Sequence, residues 1–293
     1  MSLTVPLPSP QTILRRLGLR PKKSLGQNFL LHAHQARRIV DALDLQPHDV
    51  VLEIGPGLGA LTVLLAERAA LVIALEVDLS LADYLEQEVF AGSPRVRLIR
   101  EDVLRFDIAA LSREVGRPVK IAGNLPYHIT SPLLFKLMED KGVLTLAVLM
   151  VQEEVGDRLL ARPGGKDYGI LSVMAQYHFR LTRQFSLGPG NFYPPPQVSS
   201  VVLKLEPAAP ELRAEDEQIF AKVVKTAFAQ RRKTLKNTLA AQGPAFGLPP
   251  GDLLNILKEA GIDPGRRAES LSVAQFVKLS NSICEKMKTD RAG

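Results

Sequence analysis

"VLEIGPGLGALT", residues 51–62, is an apolar run closed by a glutamate, three glycines at alternate positions, and then the start of a helical pattern. A short aliphatic strand that enters a glycine turn and opens a helix is the first unit of an α/β domain with a parallel sheet. Gly55, Gly57 and Gly59 carry no Cβ, so the backbone can turn sharply and come close to a ligand. The spacing is G-x-G-x-G, unlike the G-x-G-x-x-G that cradles a dinucleotide pyrophosphate, and no basic residue sits in the loop. A ligand with an adenosine and no phosphate fits it better, with Glu53 suited to a cationic amino-acid portion. The competing reading is an ordinary strand-to-helix turn.

Outward from this loop, the chain from Val50 to about Glu206 alternates aliphatic runs with helical patterns. Strands are predicted at Val50–Ile54, Leu71–Glu76, Val96–Arg100, Val119–Ala122, Leu144–Val151, near Val173–Phe179, and at Val201–Leu205. Helices are predicted at Leu58–Arg68 and Leu79–Phe90. After Glu206 the linker-like "PAAPEL" leads into helical sequence, broken by proline and glycine at "QGPAFGLPPG", 242–251. The expected organisation is therefore an α/β domain over residues 1–206 and a small helical domain over 207–293. The role of residues 1–20 is left open.

Two further strand ends carry acids. Glu76 in "LEVD" lies about 20 residues past the glycine loop, where a carboxylate can accept both hydroxyls of a ribose. Asp102 in "REDVLRFD" follows the next strand, placed to accept from an adenine amino group. Either acid alone could be a solvated strand end, but strand ends of a parallel sheet share one edge. The fourth end is "GNLPYHITSPLLF", 123–135. There the Asn124 side-chain oxygen and the Leu125 carbonyl can accept both hydrogens of an exocyclic amine, leaving its lone pair for an electrophile. Pro126 fixes φ and removes a competing donor, and Tyr127 offers a face on which a base can stack. In the late stretch "FYPPPQVSSVVLKL", 192–205, three prolines stiffen a turn that could present Phe192 or Tyr193 as a second stacking face.

Composition bounds the chemistry. The 293 residues carry a net charge of +6 with a pI near 9.4, and basic clusters recur at Arg15-Arg16, Arg20 to Lys23, Arg37-Arg38, Arg231 to Lys233 and Arg266-Arg267. That balance suits a polyanionic partner. On a helix expected from Ile219 to Leu239, Val224, Phe228, Leu235 and Leu239 would form an apolar stripe beside a face holding Lys222, Lys225, Lys233 and Lys236, with Arg232 adjacent. One cysteine and five scattered histidines leave no disulfide framework and no metal-ligand spacing. Pro6, Pro8 and Pro10 stand where a signal peptide would have its apolar core, and no run approaches a membrane span. A soluble, cytoplasmic protein without a metal or membrane partner is expected.

Taken together, "KKSLGQNFL" (22–30), "LEIGPGLGALT", "LEVD", "GNLPYHITSP", "FYPPPQVSSVVLKL" and "GIDPGRRAESLS" (261–272) resemble the ribosomal RNA adenine N6,N6-dimethyltransferases of the KsgA/RsmA family, over nearly the whole chain from Lys22. The resemblance implies a Rossmann-like, seven-stranded class I methyltransferase domain using S-adenosyl-L-methionine and releasing S-adenosyl-L-homocysteine. It implies that Gln27, Asn28 and Leu30 close over the cofactor, that Gly55 faces its methionine part, Glu76 its ribose and Asp102 its adenine, and that Asn124 holds the target amine. Phe192 aligns with the family's phenylalanine, and Lys22 and Lys23 join the basic residues expected on RNA. The implied target is a pair of adjacent adenosines near the 3′ end of 16S rRNA in a 30S particle, with a role in late subunit biogenesis, and a monomer is expected. The alternatives are an erythromycin-resistance type methyltransferase acting on 23S rRNA, a non-catalytic RNA-binding assembly factor, and, further off, a dehydrogenase.

Overall fold

The computed structural model describes residues 7–239, 242, 245–249 and 251–292; Pro6 and, within the 242–251 break, Gly243, Pro244 and Pro250 lie outside the described residues. The chain forms two compact units, one made of residues up to Gly156 together with Arg180–Pro207, the other of Asp157–Phe179 and the chain from Ala208 onward. The parting after Pro207 falls where the linker-like sequence begins, while Asp157–Phe179 leaves the α/β unit for the helical one.

In chain order the elements are α1 (Pro10–Arg16), β1 (Phe29–Leu30), α2 (Ala33–Asp41), β2 (Val50–Ile54), α3 (Thr62–Arg68), β3 (Leu71–Leu75), α4 (Leu79–Tyr84), β4 (Val96–Ile99), α5 (Ile108–Val115), β5 (Val119–Asn124), α6 (Thr130–Glu139), β6 (Leu144–Gln152), α7 (Glu153–Leu160), α8 (Ile170–His178), β7 (Phe179–Leu187), β8 (Phe192–Tyr193) and β9 (Ser200–Pro207), then α9 (Glu217–Ala227), α10 (Leu235–Leu239), α11 (Asp252–Glu259) and α12 (Val273–Ala292). Seven strands make one sheet in the order β4-β3-β2-β5-β6-β9-β7, and β1 and β8 pair as a separate two-stranded ribbon. Strands β2 to β6 run parallel, and β9 is antiparallel to β6. The order reverses between β2 and β5, which opens a crevice at their carboxyl ends.

The central strands are apolar because both faces are covered: every residue of β2 is buried, and so is most of β6. Helix α2 shows how a covering helix is held. Ala36, Ile39 and Val40 recur at i, i+3 and i+4, Leu43 follows just past the helix end, and all four are buried in one cluster with Val51, Leu65 and Val72. Burying a residue such as Ile39 contributes about 1.5–3 kcal/mol, and truncating it to alanine would cost roughly 2–5 kcal/mol because the cavity adds to the lost transfer energy.

Three sequence expectations need correcting. The stretch Val173–Phe179 is helix α8, with strand β7 starting only at Phe179. A short apolar run does not separate helix from strand by periodicity; here Ser172 Oγ accepts the Gly169 N–H at 3.0 Å and starts a helix that buries Val173, Met174, Ala175 and Tyr177. The helix expected from Leu58 begins at Thr62, after the glycine turn has relaxed. The helix expected from Ile219 to Leu239 is two helices, α9 and α10, parted by a turn at 228–234. Nothing in that turn is glycine or proline. Its anchor is tertiary: the Arg231 guanidinium donates to the carbonyls of Lys166 and Tyr168, and Phe228 stacks on Phe276 with ring centroids 5.7 Å apart.

Candidate active site

The carboxyl ends of β2, β3 and β5, together with the loop after β4, converge on one cavity of about 570 Å³. Gln27, Asn28, Leu30, Glu53, Gly55 and Gly57 line it, and so do Glu76, Asp102 and Asn124, so each residue read from the sequence as cofactor-binding reaches this space. Backbone hydrogen bonds stitch the strand ends together: Gly55 N donates to Leu75 O at 2.9 Å, and Glu76 N to Ile99 O at 3.0 Å. Gly55 and Gly57 have φ of +66° and +60°, where an L side chain is strained. A Cβ at Gly57 would also press on the Phe29 ring at 3.1 Å, while one at Gly55 would meet no protein atom within 4 Å. The glycine loop is thus packed on one side and open on the other.

The acids of the site are held in different ways. Glu76 is buried, and its two oxygens accept from Asp78 N at 2.9 Å and Gly57 N at 3.1 Å. Burial raises its pKa, and those backbone N–H groups oppose the rise. One carboxylate therefore ties the end of β3 to the glycine loop. Asp78 caps α4 and collects the N-terminal motif: Lys22 Nζ donates to it at 2.6 Å and Gln27 Nε2 at 2.7 Å. Burial pushes the Asp78 carboxyl up, but these two donors hold it below its ordinary value. Asp102 accepts from Leu104 N at 2.9 Å, which shapes its own loop. Glu53 differs from all three. It is fully buried, its Oε2 has no hydrogen-bond partner among the described residues, and burial pushes its pKa up to about 8. The Thr62 hydroxyl nearby is too poorly placed to make a hydrogen bond and offsets this only in part, while the charge of Glu76 adds to it. A buried acceptor that faces a cavity and lacks a donor calls for a cationic donor from a ligand.

Asn124, at the end of β5, donates from Nδ2 to Asn28 O at 2.8 Å. That bond fixes which way the amide points and leaves Oδ1 to accept. Leu125 is buried and tied by its N–H to Met150 O at 3.1 Å, and Pro126 lines the cavity with φ −56°. A Cβ on Gly26 would lie 3.2 Å from the Pro126 side chain, so the N-terminal motif packs closely against this loop. Tyr127 is half-buried outside the cavity, with its hydroxyl 3.2 Å from Ser200 Oγ. Phe192, read from the sequence as a stacking face, is 2% exposed in this structure and lies in the core cluster with Leu30, Ile39 and Leu187. Its strand, β8, pairs with β1 in the register Phe29↔Tyr193 and Leu30↔Phe192, which draws the ring inward; Tyr193 is the half-buried neighbour.

The basic residues divide. Lys22 is held by Asp78, whereas Lys23 is exposed without a partner among the described residues. In the helical unit Lys222 donates to Ala245 O and sits 5.2 Å from the centre of the Phe246 ring, so it braces its own unit. Lys225, Arg232, Lys233 and Lys236 are exposed with no partner among the described residues, but the break after Ala227 means that they do not share one helix face. Among the described residues no group of histidine, cysteine, aspartate and glutamate could hold a metal, and no helix is long and apolar enough to cross a membrane. The residues missed by sequence reading lie mostly at the start of the chain: Leu7, Pro8, Ser9, Pro10 and Ile13 line the same cavity.

The residues present fit S-adenosyl-L-methionine: an orphaned acid for an ammonium, a glycine loop open to the cavity, and strand-end acids for hydroxyl and amino donors. Comparison with known proteins agrees with this arrangement. The model of the family described as ribosomal RNA adenine dimethylase matches residues 18–285. A protein of Geobacter metallireducens called ribosomal RNA small subunit methyltransferase A is 46% identical over 92% of this chain and 98% of its own length. Its namesake in Syntrophotalea carbinolica is 47% identical over 90% and 97%. Among solved structures, a dimethyladenosine transferase from Plasmodium falciparum superposes with a TM-score of 0.73 at 25% identity, covering 86% of this chain and 95% of that one. The 23S rRNA methyltransferase ErmE gives 0.66 at 27% identity, over 88% and 100%. With the strand-end acids, the Asn124 loop and the glycine turn all meeting at one cavity, and with a family match that runs through both units, the chain belongs to the ribosomal RNA adenine dimethylase family of methyltransferases.

Proposed function

We propose that this enzyme dimethylates the N6 amines of two adjacent adenosines near the 3′ end of 16S rRNA within a 30S particle, late in the biogenesis of the small subunit, as a cytoplasmic monomer. The observation that carries the reading is the Asn124 amide, whose Nδ2 is committed to Asn28 O so that Oδ1 is left as an acceptor at the edge of the cavity. S-adenosyl-L-methionine held there supplies an electrophilic sulfonium methyl and leaves as S-adenosyl-L-homocysteine. Glu53 would take its ammonium, Glu76 its ribose and Asp102 its adenine, with Gln27, Asn28 and Leu30 closing one side. Asn124 Oδ1 and the Leu125 carbonyl accept the hydrogens of the target amine and orient its lone pair. A neutral amine needs no strong base to attack, and the proton that N6 sheds each time a methyl–sulfur bond is exchanged for a methyl–nitrogen bond passes to water, so the protein's contribution is position and a polar cradle for the charge that grows on nitrogen. Tyr127, braced by Ser200, offers the stacking face for the displaced base. Phe192 could join it only by leaving the core.

The helical unit, with Lys225, Arg232, Lys233 and Lys236, and Lys23 on the other unit, would neutralise rRNA phosphates. Support for a small-subunit target comes from the names of the close relatives; ErmE is the more distant likeness. The test uses the purified protein, methyl-tritiated S-adenosyl-L-methionine and 30S particles from cells that lack this methylation. Label on two adjacent adenosines near the 3′ end of 16S rRNA, recovered as N6,N6-dimethyladenosine, is the expected result. Label on a single adenosine of 23S rRNA offered in a parallel reaction, with none on the 30S particles, would instead make it an erythromycin-resistance type enzyme. Cofactor binding without transfer would make it an assembly factor.

A further inference from the structure

Helix α1 lies ahead of the residues that the family model matches, which begin at residue 18. It is nevertheless built into the α/β unit. Ser9 caps it, with Oγ accepting from Thr12 N at 3.2 Å, and Pro10 opens its first turn. Ile13 and Leu14 are buried beside Phe29, Leu58, Leu81 and Leu85, while Arg16 pairs with Glu88 and lies 5.9 Å from the centre of the Tyr84 ring. Gly18, at φ +65°, turns the chain back towards Lys22. The segment that leads into this pinned helix runs along the cavity: Leu7, Pro8, Ser9 and Pro10, with Ile13 behind them, line it together with Gly57 and Glu76.

We propose that Leu7–Pro10 and α1 form an additional wall of the cofactor site, an apolar cover that packs against bound S-adenosyl-L-methionine and slows its exchange. The inference rests on the reading of this cavity as the cofactor site. Four of the five lining residues are apolar, so their effect on a ligand is contact and exclusion of water. Leu7 and Pro8 sit ahead of the helix and outside the buried core, so they can be trimmed without unfolding it.

The test is calorimetric binding of S-adenosyl-L-homocysteine to the full chain and to Leu7→Ala/Pro8→Ala, with the melting temperature of each ligand-free protein. The expected result is a Kd raised on the order of ten-fold, as when one large aliphatic side chain no longer covers a ligand, with a faster off-rate and an unchanged melting temperature. Equal Kd values for variant and parent overturn the proposal while leaving the cofactor reading intact. No binding by the parent overturns both. Hydrogen exchange on the unaltered chain gives a second measure that does not depend on how the variant folds. The amides of Ser9 and of residues 11–17 should exchange more slowly once the ligand is added, and exchange that does not change would equally sink the idea.

Discussion

Glu53 permits a test with a defined sign and size. Its pKa is pushed up to about 8 from an ordinary 4.5 by complete burial. A carboxyl whose folded pKa lies above its unfolded one keeps its proton after the unfolded chain has lost it, so the native state loses stability as pH rises through that window. At about 1.36 kcal/mol per pH unit the penalty is on the order of 3 kcal/mol at pH 7 and on the order of 5 kcal/mol above pH 8. Glu53→Gln removes the titration and keeps the shape. The expected outcome in urea unfolding is that the variant gains on the parent by roughly 4 kcal/mol between pH 5 and pH 8.5, whatever fixed offset the buried amide introduces. A stability difference that stays constant with pH would refute the burial argument.

The same acid should report on the ligand. At pH 7, about one unit below its pKa, Glu53 is roughly nine-tenths protonated. An ammonium docked against Oε2 favours the ionised form, so binding S-adenosyl-L-homocysteine should expel close to one proton. Calorimetry at pH 7 in phosphate and in Tris reads that proton directly, because the two buffers differ in heat of ionisation. The parent's apparent enthalpy should differ between the buffers by that proton's ionisation heat, and the difference should vanish in Glu53→Gln. Identical enthalpies for the parent in both buffers would show that Glu53 does not meet the ammonium.

The remaining predictions concern the other parts of the site. Asn124→Ala should leave S-adenosyl-L-homocysteine affinity nearly unchanged and slow single-turnover methylation by about 10²–10³-fold, as removing one oriented polar group from a catalytic cradle does; a parental rate would make the loop structural. Glu76→Ala should weaken cofactor binding by about 1.5–3 kcal/mol for hydrogen bonds to a charged group, and it should also lower stability because Gly57 N and Asp78 N lose their acceptor. An unchanged Kd in calorimetry would reduce Glu76 to a loop brace. Replacing Lys233 and Lys236 together by alanine should make the log–log salt dependence of RNA binding shallower by about 1–2, one phosphate for each lysine; an unaltered slope would leave both as solvated surface.

Much of the α/β unit was legible because its signals are local. The central strands are apolar runs bounded by glycine or acid, and parallel topology brings their carboxyl ends to one edge, so residues at those ends are neighbours wherever the rest of the chain goes. This is why Glu53, Gly55, Glu76, Asp102 and Asn124 could be named together. What was not legible depends on contacts between distant segments. The Val173–Phe179 run is helical because it buries Val173, Met174, Ala175 and Tyr177 and because Ser172 and Gln176 reach carbonyls of Arg158, Leu159 and Ala161, and the turn after Ala227 is set by an arginine reaching two carbonyls more than 60 residues away. Neither leaves a mark in the local sequence. The cavity wall at Leu7–Pro10 is similar: the role of residues 1–20 was left open, and the segment is placed by the packing of Ile13 and Leu14 against Phe29, Leu58, Leu81 and Leu85.

Phe192 shows where motif reading and packing part. As a sequence position it aligns with a residue expected to stack on a base, yet the two-stranded ribbon of β1 and β8 places it opposite Leu30 and turns it into the core. The same ribbon has a second effect. Pairing Phe29 with Tyr193 sets the Phe29 ring over Gly57, and the next residue back, Asn28, offers its carbonyl to Asn124. One short strand and the residue before it therefore touch the glycine loop, the late motif and the Asn124 amide, three features read separately from the sequence. If β1 shifts, the Asn124 amide loses the bond that orients it, and Oδ1 no longer has a fixed direction. What the late motif does in this structure is hold β1 in register, since Leu31 N also donates to Asn191 O at 2.9 Å and extends the ribbon by one more bond.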